Sequence, residues 1–337
     1  MMKALVLGEV GGPENLSIQD VETPSPKPGE VRVALKAAAL NRRDVWITVG
    51  KYPGVKTPSI GGSDGAGVID AVGEGIDKSE VGKDVVVYPA REWGDDWRCG
   101  GPDFRVLGMP DQGTFAEYIC VPASDVYKKP KHLDWAQAAA LPLAGLTSWR
   151  ALVTHGEVTA GQKVLVTGIG GGVATFAMLW AMAKGADVWV TSGSEDKLAA
   201  AKSLGAKGSA NYKTDGWSKT LRKETGGFDI VIDSGGGEEL NKTLDTLAVG
   251  GRYVFFGATL GSPTIGIEMP KLFFKQVRIQ GTTMGTPEEF RAMVDFVTAN
   301  KIEPVVDQVV PFADSMAAHQ RMYASEQMGK IVLDISI

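Results

Sequence analysis

A run of glycines between a predicted strand and a predicted helix narrows the choice of folds more than any other part of this sequence. Residues 163–167 form a short apolar run, and Gly168-Ile169-Gly170-Gly171-Gly172-Val173-Ala174 follows at once. The apolar stretch 173–183 then predicts a buried helix over 173–184, and residues 187–191 predict a second strand. Strand, turn, helix and strand in this order predict one βαβ unit of a parallel sheet.

This turn has the properties that a dinucleotide pyrophosphate requires. Glycines let the backbone approach the phosphates, and the helix N-terminus offers free N–H groups and a favourable dipole. The flanking strands and helix supply the context in which such a pattern binds dinucleotides. The predicted cofactor-binding residues of the turn are Gly168, Gly170, Gly171, Gly172 and Val173. The alternative is a tight strand-to-helix turn that binds nothing.

The residues after the second strand bear on the choice of cofactor. An acidic residue there would bind the ribose 2′-hydroxyl of NAD and repel the 2′-phosphate of NADP. The expected place holds Ser192, and Ser194 and Lys197 follow it. Because two hydroxyls and a cation suit a phosphate, we predict NADP(H) as the cofactor. The alternative is that Glu195 takes the acidic role and that Lys197 is a solvated helix residue.

The hydrophobic pattern divides the chain into two parts. Up to about residue 127, Gly and Pro separate short predicted strands, which indicates a mostly β domain. These strands are 3–7, 30–36, 67–72 and 83–88. From about residue 161, strands and helices alternate, which indicates a parallel sheet covered on both faces. Further strands are predicted at 229–233, 252–256, 277–280 and 330–334, and a helix at 287–300.

Composition excludes several classes of protein. With 337 residues, 44% hydrophobic and 22% charged, the chain is an ordinary globular protein of about two domains. Its net charge of −5 gives no basic surface for nucleic acid or an acidic membrane. Two cysteines and three histidines are too few for a disulfide framework or a cysteine-rich zinc site. Without an apolar signal peptide or a membrane-length apolar run, we predict a cytoplasmic protein.

Further motifs follow one another along almost the whole chain. They are Pro24-Ser-Pro-Lys-Pro-Gly-Glu-Val31, Ala39-Leu-Asn-Arg-Arg-Asp44, Gly62-Ser-Asp-Gly-Ala-Gly-Val68, Gly113-Thr-Phe-Ala-Glu-Tyr118, Ala138-Ala-Ala-Leu-Pro-Leu-Ala-Gly-Leu-Thr147 and Gly329-Lys-Ile-Val-Leu333. Together with the glycine turn, this set resembles the medium-chain dehydrogenase/reductase superfamily, in particular its zinc-free quinone oxidoreductase-like branch.

The resemblance implies an α/β fold with two domains. A GroES-like, mostly β catalytic domain is expected at residues 1–128, and a Rossmann NADP-binding domain with a doubly wound parallel sheet at 129–275. The C-terminal segment, 276–337, is expected to complete the catalytic domain. The resemblance also implies a homodimer formed through the Rossmann domains, in which the edge strand 277–280 would be covered.

The same resemblance bears on metal binding. In the zinc alcohol dehydrogenases of this superfamily a Cys, a His and a second Cys hold a catalytic zinc that polarises the substrate oxygen. The matching positions here are Asn41, Ser63 and the stretch 141–145, which contains no cysteine. The loop that matches their structural zinc site offers Cys99 alone. We therefore predict no metal.

Without a Lewis acid, reduction of an unactivated ketone loses several kcal/mol of transition-state stabilisation. Quinones and α,β-unsaturated carbonyls accept hydride with their charge delocalised, so orientation and modest hydrogen bonding suffice. The predicted function is therefore NADPH-dependent reduction of a quinone, an α,β-unsaturated carbonyl or a related small electrophile. The alternatives are an NADPH-binding protein of the crystallin type with little turnover, and an alcohol or aldehyde dehydrogenase-like enzyme.

The catalytic residues that the resemblance implies are Asn41, Asp44 and Tyr52. Asn41 and Asp44 would lie near the nicotinamide and the substrate. The phenol of Tyr52 would donate a hydrogen bond to the acceptor oxygen or pass a proton through water. The alternatives are a packing role for Tyr52 and, for Asp44, a helix N-terminal acid or an ion pair with Arg42 or Arg43.

Outside the glycine turn the resemblance implies further contacts to the cofactor. These residues are Thr147, Tyr212, Gly257, Thr259, Thr282 and Lys330. Gly257, Thr259 and Thr282 follow predicted strands at their C-terminal ends, where ligands of open parallel sheets bind. Residues 233–237 fit the same logic for the adenine or ribose end. The alternative for these positions is simple loop geometry.

Overall fold

The computed structural model describes residues 1–336, which form two compact units. Unit 1 comprises residues 1–146 and those from 285 onward, and unit 2 comprises residues 147–284. The predicted boundaries at 128 and 275 lie earlier in the chain. The first one shifts because the helix Trp135–Ala140 packs against the sheet of unit 1. The second shifts because the strand Arg278–Gly281 pairs within the sheet of unit 2.

In chain order the strands are β1 (Met2–Leu7), β2 (Leu16–Val21), β3 (Glu30–Ala39), β4 (Ser59–Ile60), β5 (Asp64–Val72), β6 (Asp84–Val87), β7 (Ala90–Arg91), β8 (Arg105–Val106), β9 (Tyr118–Pro122), β10 (Val126–Lys128), β11 (Lys163–Val166), β12 (Asp187–Ser192), β13 (Gly208–Asn211), β14 (Phe228–Asp233), β15 (Leu247–Phe255), β16 (Arg278–Gly281), β17 (Val306–Pro311) and β18 (Lys330–Asp334). The helices are α1 (Arg42–Thr48), α2 (Trp135–Ala140), α3 (Pro142–Trp149), α4 (Gly172–Ala183), α5 (Glu195–Ser203), α6 (Trp217–Thr225), α7 (Leu240–Asp245), α8 (Met269–Lys275), α9 (Pro287–Asn300) and α10 (Ser315–Tyr323).

The largest sheet of unit 1 joins strands from the first and the last parts of the chain. Its strand order is β10-β6-β5-β3-β18-β17, and β9 also pairs with β3. On β3 the buried side chains of Val31, Val33 and Leu35 alternate with half-buried ones, as in a strand with one packed face. The strand β18 pairs antiparallel with the C-terminal end of β3. Residues near position 330 are thereby brought next to the segment that follows β3.

Unit 2 is built on one parallel sheet of six strands. Their order is β13-β12-β11-β14-β15-β16, which is 3-2-1-4-5-6 in the chain order of this sheet. The side chains of Val164, Leu165 and Val166 in the central strand β11 are fully buried, as expected for a sheet covered on both faces. The strand order reverses between β11 and β14, so a crevice opens beyond their carboxyl ends, where such sheets bind ligands.

These two units confirm the predicted fold class, a mostly β unit and a doubly wound parallel-sheet unit. Among residues 1–336, no helix has the length and apolar character needed to cross a bilayer. The cytoplasmic location remains a prediction.

Candidate catalytic and cofactor sites

A buried polar cluster of unit 1 lies where β3 ends and α1 begins. Asn41 occupies this junction and is 7% exposed. Its Nδ2 donates to Oδ2 of Asp64 at 2.8 Å, and its Oδ1 accepts from Nζ of Lys330 at 2.6 Å. Because a carboxylate and an ammonium hold opposite ends of the amide, its orientation is fixed. One proton on Nδ2 remains for a ligand.

Asp64 and Lys330 form a fully buried ion pair that supports Asn41. The Nζ of Lys330 lies 2.7 Å from Oδ2 of Asp64, and their side chains are 2% and 0% exposed. The other carboxylate oxygen of Asp64 accepts the backbone N–H of Leu143 at 2.6 Å. The sequence reasoning missed Asp64, although it directly follows Ser63 in the Gly62–Val68 motif.

The contacts of Lys330 differ from those predicted for a cofactor-binding residue. Its Nζ donates to the carbonyl of Leu40 at 2.7 Å, to Asn41 and to Asp64. An ammonium has three protons, and unit 1 uses all three. None remains for a phosphate, so we assign Lys330 as the residue that positions Asn41 and neutralises Asp64.

Asp44 is buried beside this cluster, in the first turn of α1. Its Oδ2 accepts the backbone N–H of Asn41 at 2.7 Å, so its contact is that of a helix N-terminal acid. Its Oδ1 is buried and has no hydrogen-bond partner. Burial raises the pKa of Asp44 to about 6, and the charges of Arg43 and Lys330 oppose this rise. A carboxyl with this pKa can exchange a proton near neutral pH.

The guanidinium of Arg43 is held by three protein oxygens and one ring. Its Nη1 donates to Oγ of Ser63 at 2.5 Å and to the carbonyl of Leu107 at 2.8 Å, and Nη2 donates to the carbonyl of Met109 at 3.2 Å. The guanidinium carbon lies 4.6 Å from the centre of the Tyr52 ring. The sequence reasoning considered Arg43 only as an ion-pair partner for the neighbouring carboxylate. The sequence could have indicated Arg43, because it is a cationic residue in the motif where Asn41 replaces a zinc ligand.

Tyr52 lies in the turn after α1. Its half-buried ring packs against the cluster of Leu7, Ile47 and Met109 and under the guanidinium of Arg43. This is the packing role that was the alternative for Tyr52. The catalytic role of its hydroxyl remains a prediction.

The side chains at the zinc-ligand positions do not fit a zinc ion. The amide of Asn41 is engaged by Asp64 and Lys330. Ser63 donates its hydroxyl proton to the carbonyl of Leu107 at 2.7 Å and accepts from Arg43, whose fixed positive charge repels a metal ion. Zinc sites use Cys, His or carboxylate ligands. Within residues 1–336, no group of three or more His, Cys, Asp or Glu side chains is arranged to hold a metal.

In unit 2 the glycine-rich turn connects β11 to α4. The N–H of Ile169 donates to the carbonyl of Thr191 at 3.0 Å, and the N–H of Gly171 donates to the carbonyl of Gly168 at 3.0 Å. Gly168 has a φ of +63°, a conformation that favours glycine. Gly170 lies between these bonds, and Gly172 and Val173 are the first residues of α4.

Gly171 is a glycine that the fold itself does not require. Its φ is −80°, which any residue adopts, and an added Cβ would meet nothing nearer than the carbonyl oxygen of Gly168 at 3.7 Å. Gly171 is also the N-cap of α4, and no side chain caps this helix. Open space at an uncapped helix N-terminus fits a phosphate, because a Cβ would occupy the space that a ligand needs.

The residues predicted to determine the preference for NADP over NAD lie at the carboxyl end of β12. Ser192 is the last residue of this strand, and its Oγ accepts the N–H of Ser194 at 3.2 Å. Ser194 caps α5 by accepting the N–H of Lys197 at 3.5 Å. Glu195, the alternative acidic residue, accepts a hydrogen bond from the side-chain amide of Asn211 at 2.6 Å.

Tyr212 and Lys213 lie beside this segment. A Cβ added to Gly193 would lie 2.8 Å from the hydroxyl of Tyr212 and 2.7 Å from Cε of Lys213. Tyr212 is thus next to Ser192 and Ser194, and its contact with the cofactor remains a prediction. The sequence reasoning missed Lys213, because its proximity to Gly193 depends on the pairing of β13 with β12.

A buried carboxylate organises the loop after β14. Asp233 is 4% exposed and accepts hydrogen bonds from the hydroxyl of Thr167, from Tyr253 Oη at 2.5 Å, and from the N–H groups of Gly235 and Gly236 at 3.2 and 3.0 Å. Burial and the charge of Asp233 raise the pKa of Tyr253, so its phenol remains a donor. These bonds tie the end of β11 to β14, β15 and the glycines after β14.

Two predicted residues after β15 adjoin the same loop. Thr259 donates its N–H at 2.9 Å and its hydroxyl at 3.1 Å to the carbonyl of Ser234. A Cβ on Gly257 would also lie 3.6 Å from this carbonyl. The loops after β14 and β15 therefore lie together, on the side where the glycine turn follows β11.

Thr282 and Thr147 are the remaining predicted residues of unit 2. The N–H of Thr282 donates to the carbonyl of Phe255 at 2.9 Å, and its hydroxyl is buried without a hydrogen-bond partner. An unpaired buried hydroxyl is a group that a bound ligand would satisfy. Thr147 contacts the sulfur of Met284 through its hydroxyl at 3.8 Å.

Comparison with known proteins identifies the family. Residues 27–131 match the alcohol dehydrogenase GroES-like domain, and residues 172–299 match the zinc-binding dehydrogenase domain. The chain is 39% identical to the zinc-type alcohol dehydrogenase-like protein YogA of Leptosphaeria maculans, over 97% of this chain and 96% of that protein. It belongs to the medium-chain dehydrogenase/reductase superfamily.

Other members of the superfamily are similar over the full length. The quinone oxidoreductase of Pseudomonas aeruginosa is 30% identical over 99% of both chains. The crystal structure of an NAD-dependent alcohol dehydrogenase has a TM-score of 0.94 at 38% identity, covering 99% of this chain and 100% of that chain. As a medium-chain dehydrogenase/reductase, this protein is an oxidoreductase of the class that uses nicotinamide cofactors.

Proposed function

We propose that this protein is a zinc-independent, NADPH-dependent reductase of quinones, α,β-unsaturated carbonyls or related small electrophiles. The observation that carries the proposal is the state of Ser63. Its hydroxyl is bound between Nη1 of Arg43 and the carbonyl of Leu107, at a position where zinc enzymes of the superfamily have a metal ligand. Without a metal to polarise the acceptor oxygen, the acceptor has to delocalise the developing charge itself.

The preference for NADPH is supported by the residues around the end of β12. The hydroxyls of Ser192 and Ser194 lie with Tyr212 and Lys213 at this edge of the sheet. Glu195 is held by the side chain of an asparagine. A phosphate gains from hydroxyl donors and a cation, and it is repelled by a carboxylate in this place.

The bound cofactor would supply the hydride, and residues of unit 1 would handle the acceptor. Asn41 has one amide proton left for the acceptor, in an orientation that Asp64 and Lys330 fix. Asp44, whose pKa burial raises to about 6, is the candidate proton donor for the reduced product. Tyr52 is the second candidate donor and lies under the guanidinium of Arg43.

Oxidation of NADPH, followed by its absorbance, tests this function. We expect turnover with 1,4-benzoquinone and with an alkenone, and none with the saturated ketone of the same skeleton. Treatment with a chelator should leave the rate unchanged. NADPH binding, seen as quenching of protein fluorescence, without reduction of any acceptor in a broad panel would contradict an enzymatic role. Stoichiometric zinc would contradict zinc independence, and tighter binding of NADH would contradict the cofactor assignment.

We also propose that a second copy of the chain covers the edge of the parallel sheet. All four residues of the edge strand β16 are exposed, and Ile279 among them is 37% exposed. In the preceding helix α8, Phe273 and Phe274 are 61% and 76% exposed. An exposed edge strand pairs readily with another strand, and a two-fold axis would bring an identical edge to it.

A further inference from the structure

We infer that Arg43 binds the substrate oxygen and stabilises the negative charge that forms on it during reduction, taking the electrostatic role that zinc has in the metal-dependent relatives. This inference rests on the proposed function. It assigns the residue that makes metal-independent reduction possible, and it limits the substrates to acceptors activated through a carbonyl oxygen.

The guanidinium of Arg43 is fixed in place. Ser63 and the carbonyls of Leu107 and Met109 accept three of its N–H bonds, at 2.5, 2.8 and 3.2 Å. The ring of Tyr52 covers one face at 4.6 Å. A charge held in this way needs no rearrangement when an oxyanion forms beside it, which is the condition for strong electrostatic stabilisation. An arginine also keeps its charge throughout the physiological pH range.

The protein leaves part of this guanidinium without a hydrogen-bond partner. The Nε of Arg43 is buried and has no hydrogen-bond partner. Unpaired buried donors are costly and therefore rare in folded proteins, above all on charged groups. The next residue, Asp44, has an equally buried and unpaired carboxylate oxygen. The first turn of α1 thus holds an unpaired donor and an unpaired acceptor, as a polar binding site does before its ligand arrives.

The neighbouring arginine makes different contacts. Arg42 belongs to the same turn of α1, but its guanidinium donates to the carbonyl of Met322 at 2.5 Å and to Oγ of Ser325 at 3.0 Å. It therefore ties α1 to the end of α10. Arg43 instead lies against Ser63, one of the zinc-ligand positions. Arg42 and Arg43 are thus adjacent in the chain, but Arg42 holds two elements together and Arg43 lies at the candidate site.

Hydride transfer to an activated acceptor places a negative charge on its oxygen. In an alkenone, the β-carbon gains the hydride and the electron pair of the conjugated system moves to the oxygen, which becomes an enolate. The N–H groups of Arg43 donate to this oxygen and the guanidinium keeps its protons. The α-carbon then takes one proton from Asp44 or from water, which gives the saturated ketone and leaves NADP⁺. In a quinone, hydride transfer to one carbonyl oxygen leaves the negative charge on the other oxygen, and protonation of that oxygen by Asp44 or water gives the hydroquinone.

Replacement of Arg43, with Arg42→Ala as the matched control, tests the inference. We expect Arg43→Ala to lower kcat/KM for an alkenone by about 10²- to 10³-fold, mainly through kcat, without weakening NADPH binding. Guanidinium ion added to the Arg43→Ala enzyme should restore part of the rate, and Arg43→Lys should retain more activity than Arg43→Ala. Arg42→Ala should stay within about threefold of the parent, and guanidinium should not raise its rate. Thermal unfolding shows whether each variant is folded.

Binding of 4-nitrophenolate separates this inference from the proposed function, because it mimics the charged oxygen and needs no turnover. We expect the parent protein and Arg42→Ala to bind the phenolate form, with the absorbance of the ionised dye, and Arg43→Ala to lose this binding. Equal binding by the parent and Arg43→Ala would overturn the inference. So would an alkenone rate in Arg43→Ala within about threefold of the parent. If the parent binds the phenolate through Arg43 but reduces no acceptor, the proposed function fails and the anion site stands.

Discussion

Asp44 shows how burial changes the chemistry of a single side chain. Its carboxyl group is 3% exposed, and burial raises its pKa to about 6, against the charges of Arg43 and Lys330 and together with that of Asp64. In the unfolded chain the same carboxyl group ionises at its ordinary pKa, so the unfolded state loses its proton first as the pH rises. This group therefore favours folding at low pH, and its contribution is lost as the pH rises through about 6.

We expect Asp44→Asn to remove this pH dependence. Between pH 4 and pH 7 the free energy of unfolding of the parent should fall relative to that of Asp44→Asn by about 2 kcal/mol. The asparagine still offers an oxygen to the N–H of Asn41, so the start of α1 is preserved. Urea unfolding of both proteins at several pH values measures the difference. Parallel stability profiles would show that Asp44 ionises normally in the folded protein.

At the scale of elements, the segments with strong local signals were predicted well. The predicted helix 287–300 is observed as α9, Pro287–Asn300, because Thr286 and Glu289 cap its start reciprocally at 3.1 and 2.8 Å. The central strands β11, β12 and β14 also lie within a residue of their predicted bounds. By contrast β13, with the sequence Gly208–Asn211, has almost no apolar residues, and only its pairing with β12 makes it a strand.

The candidate site residues also divide into those that a local sequence pattern predicts and those that depend on distant strand pairing. The glycine turn could be predicted because its signal is contained in one βαβ unit. The cluster around Asn41 could not, because Lys330 meets Asp64 across 266 residues of sequence. Pairing between β18 and β3 creates this contact, and no local pattern indicates it.

The glycine turn itself permits a test at this scale. Gly171→Ala should fold with nearly unchanged stability, since its φ is −80° and the added Cβ meets nothing nearer than 3.7 Å. We expect it to weaken NADPH binding by about tenfold or more, because the methyl group occupies the space of the pyrophosphate. Fluorescence titration with NADPH and thermal unfolding measure the two effects.

Gly168→Ala is the contrasting control in the same turn. Its φ of +63° makes any side chain strained, so this variant should lose about 1 kcal/mol of stability. If Gly171→Ala binds NADPH as tightly as the parent does, the turn does not hold the pyrophosphate.

At the scale of the whole molecule, the exposed edge of the parallel sheet predicts the state of assembly. We expect Ile279→Lys, which places a charge in the edge strand β16, to convert a dimer to a monomer without unfolding the parallel sheet. Light scattering coupled to size-exclusion chromatography measures the mass of each. Val309→Lys is a suitable control, because Val309 is 53% exposed on β17, in the sheet of the other unit. A monomeric parent, or a dimer that survives Ile279→Lys, would contradict the proposed interface.

The chain order of the two units has a consequence for biosynthesis. Unit 2 is continuous in sequence, so all of its strands have left the ribosome well before β18 is translated. Unit 1 begins first and ends last. Until Lys330 emerges, Asp64 lacks the cation that neutralises it, and the C-terminal end of β3 lacks its pairing with β18. The N-terminal sheet of unit 1 therefore stays incomplete during the synthesis of all of unit 2. A transcript that ends early would yield a complete parallel sheet in unit 2 attached to an incomplete sheet in unit 1.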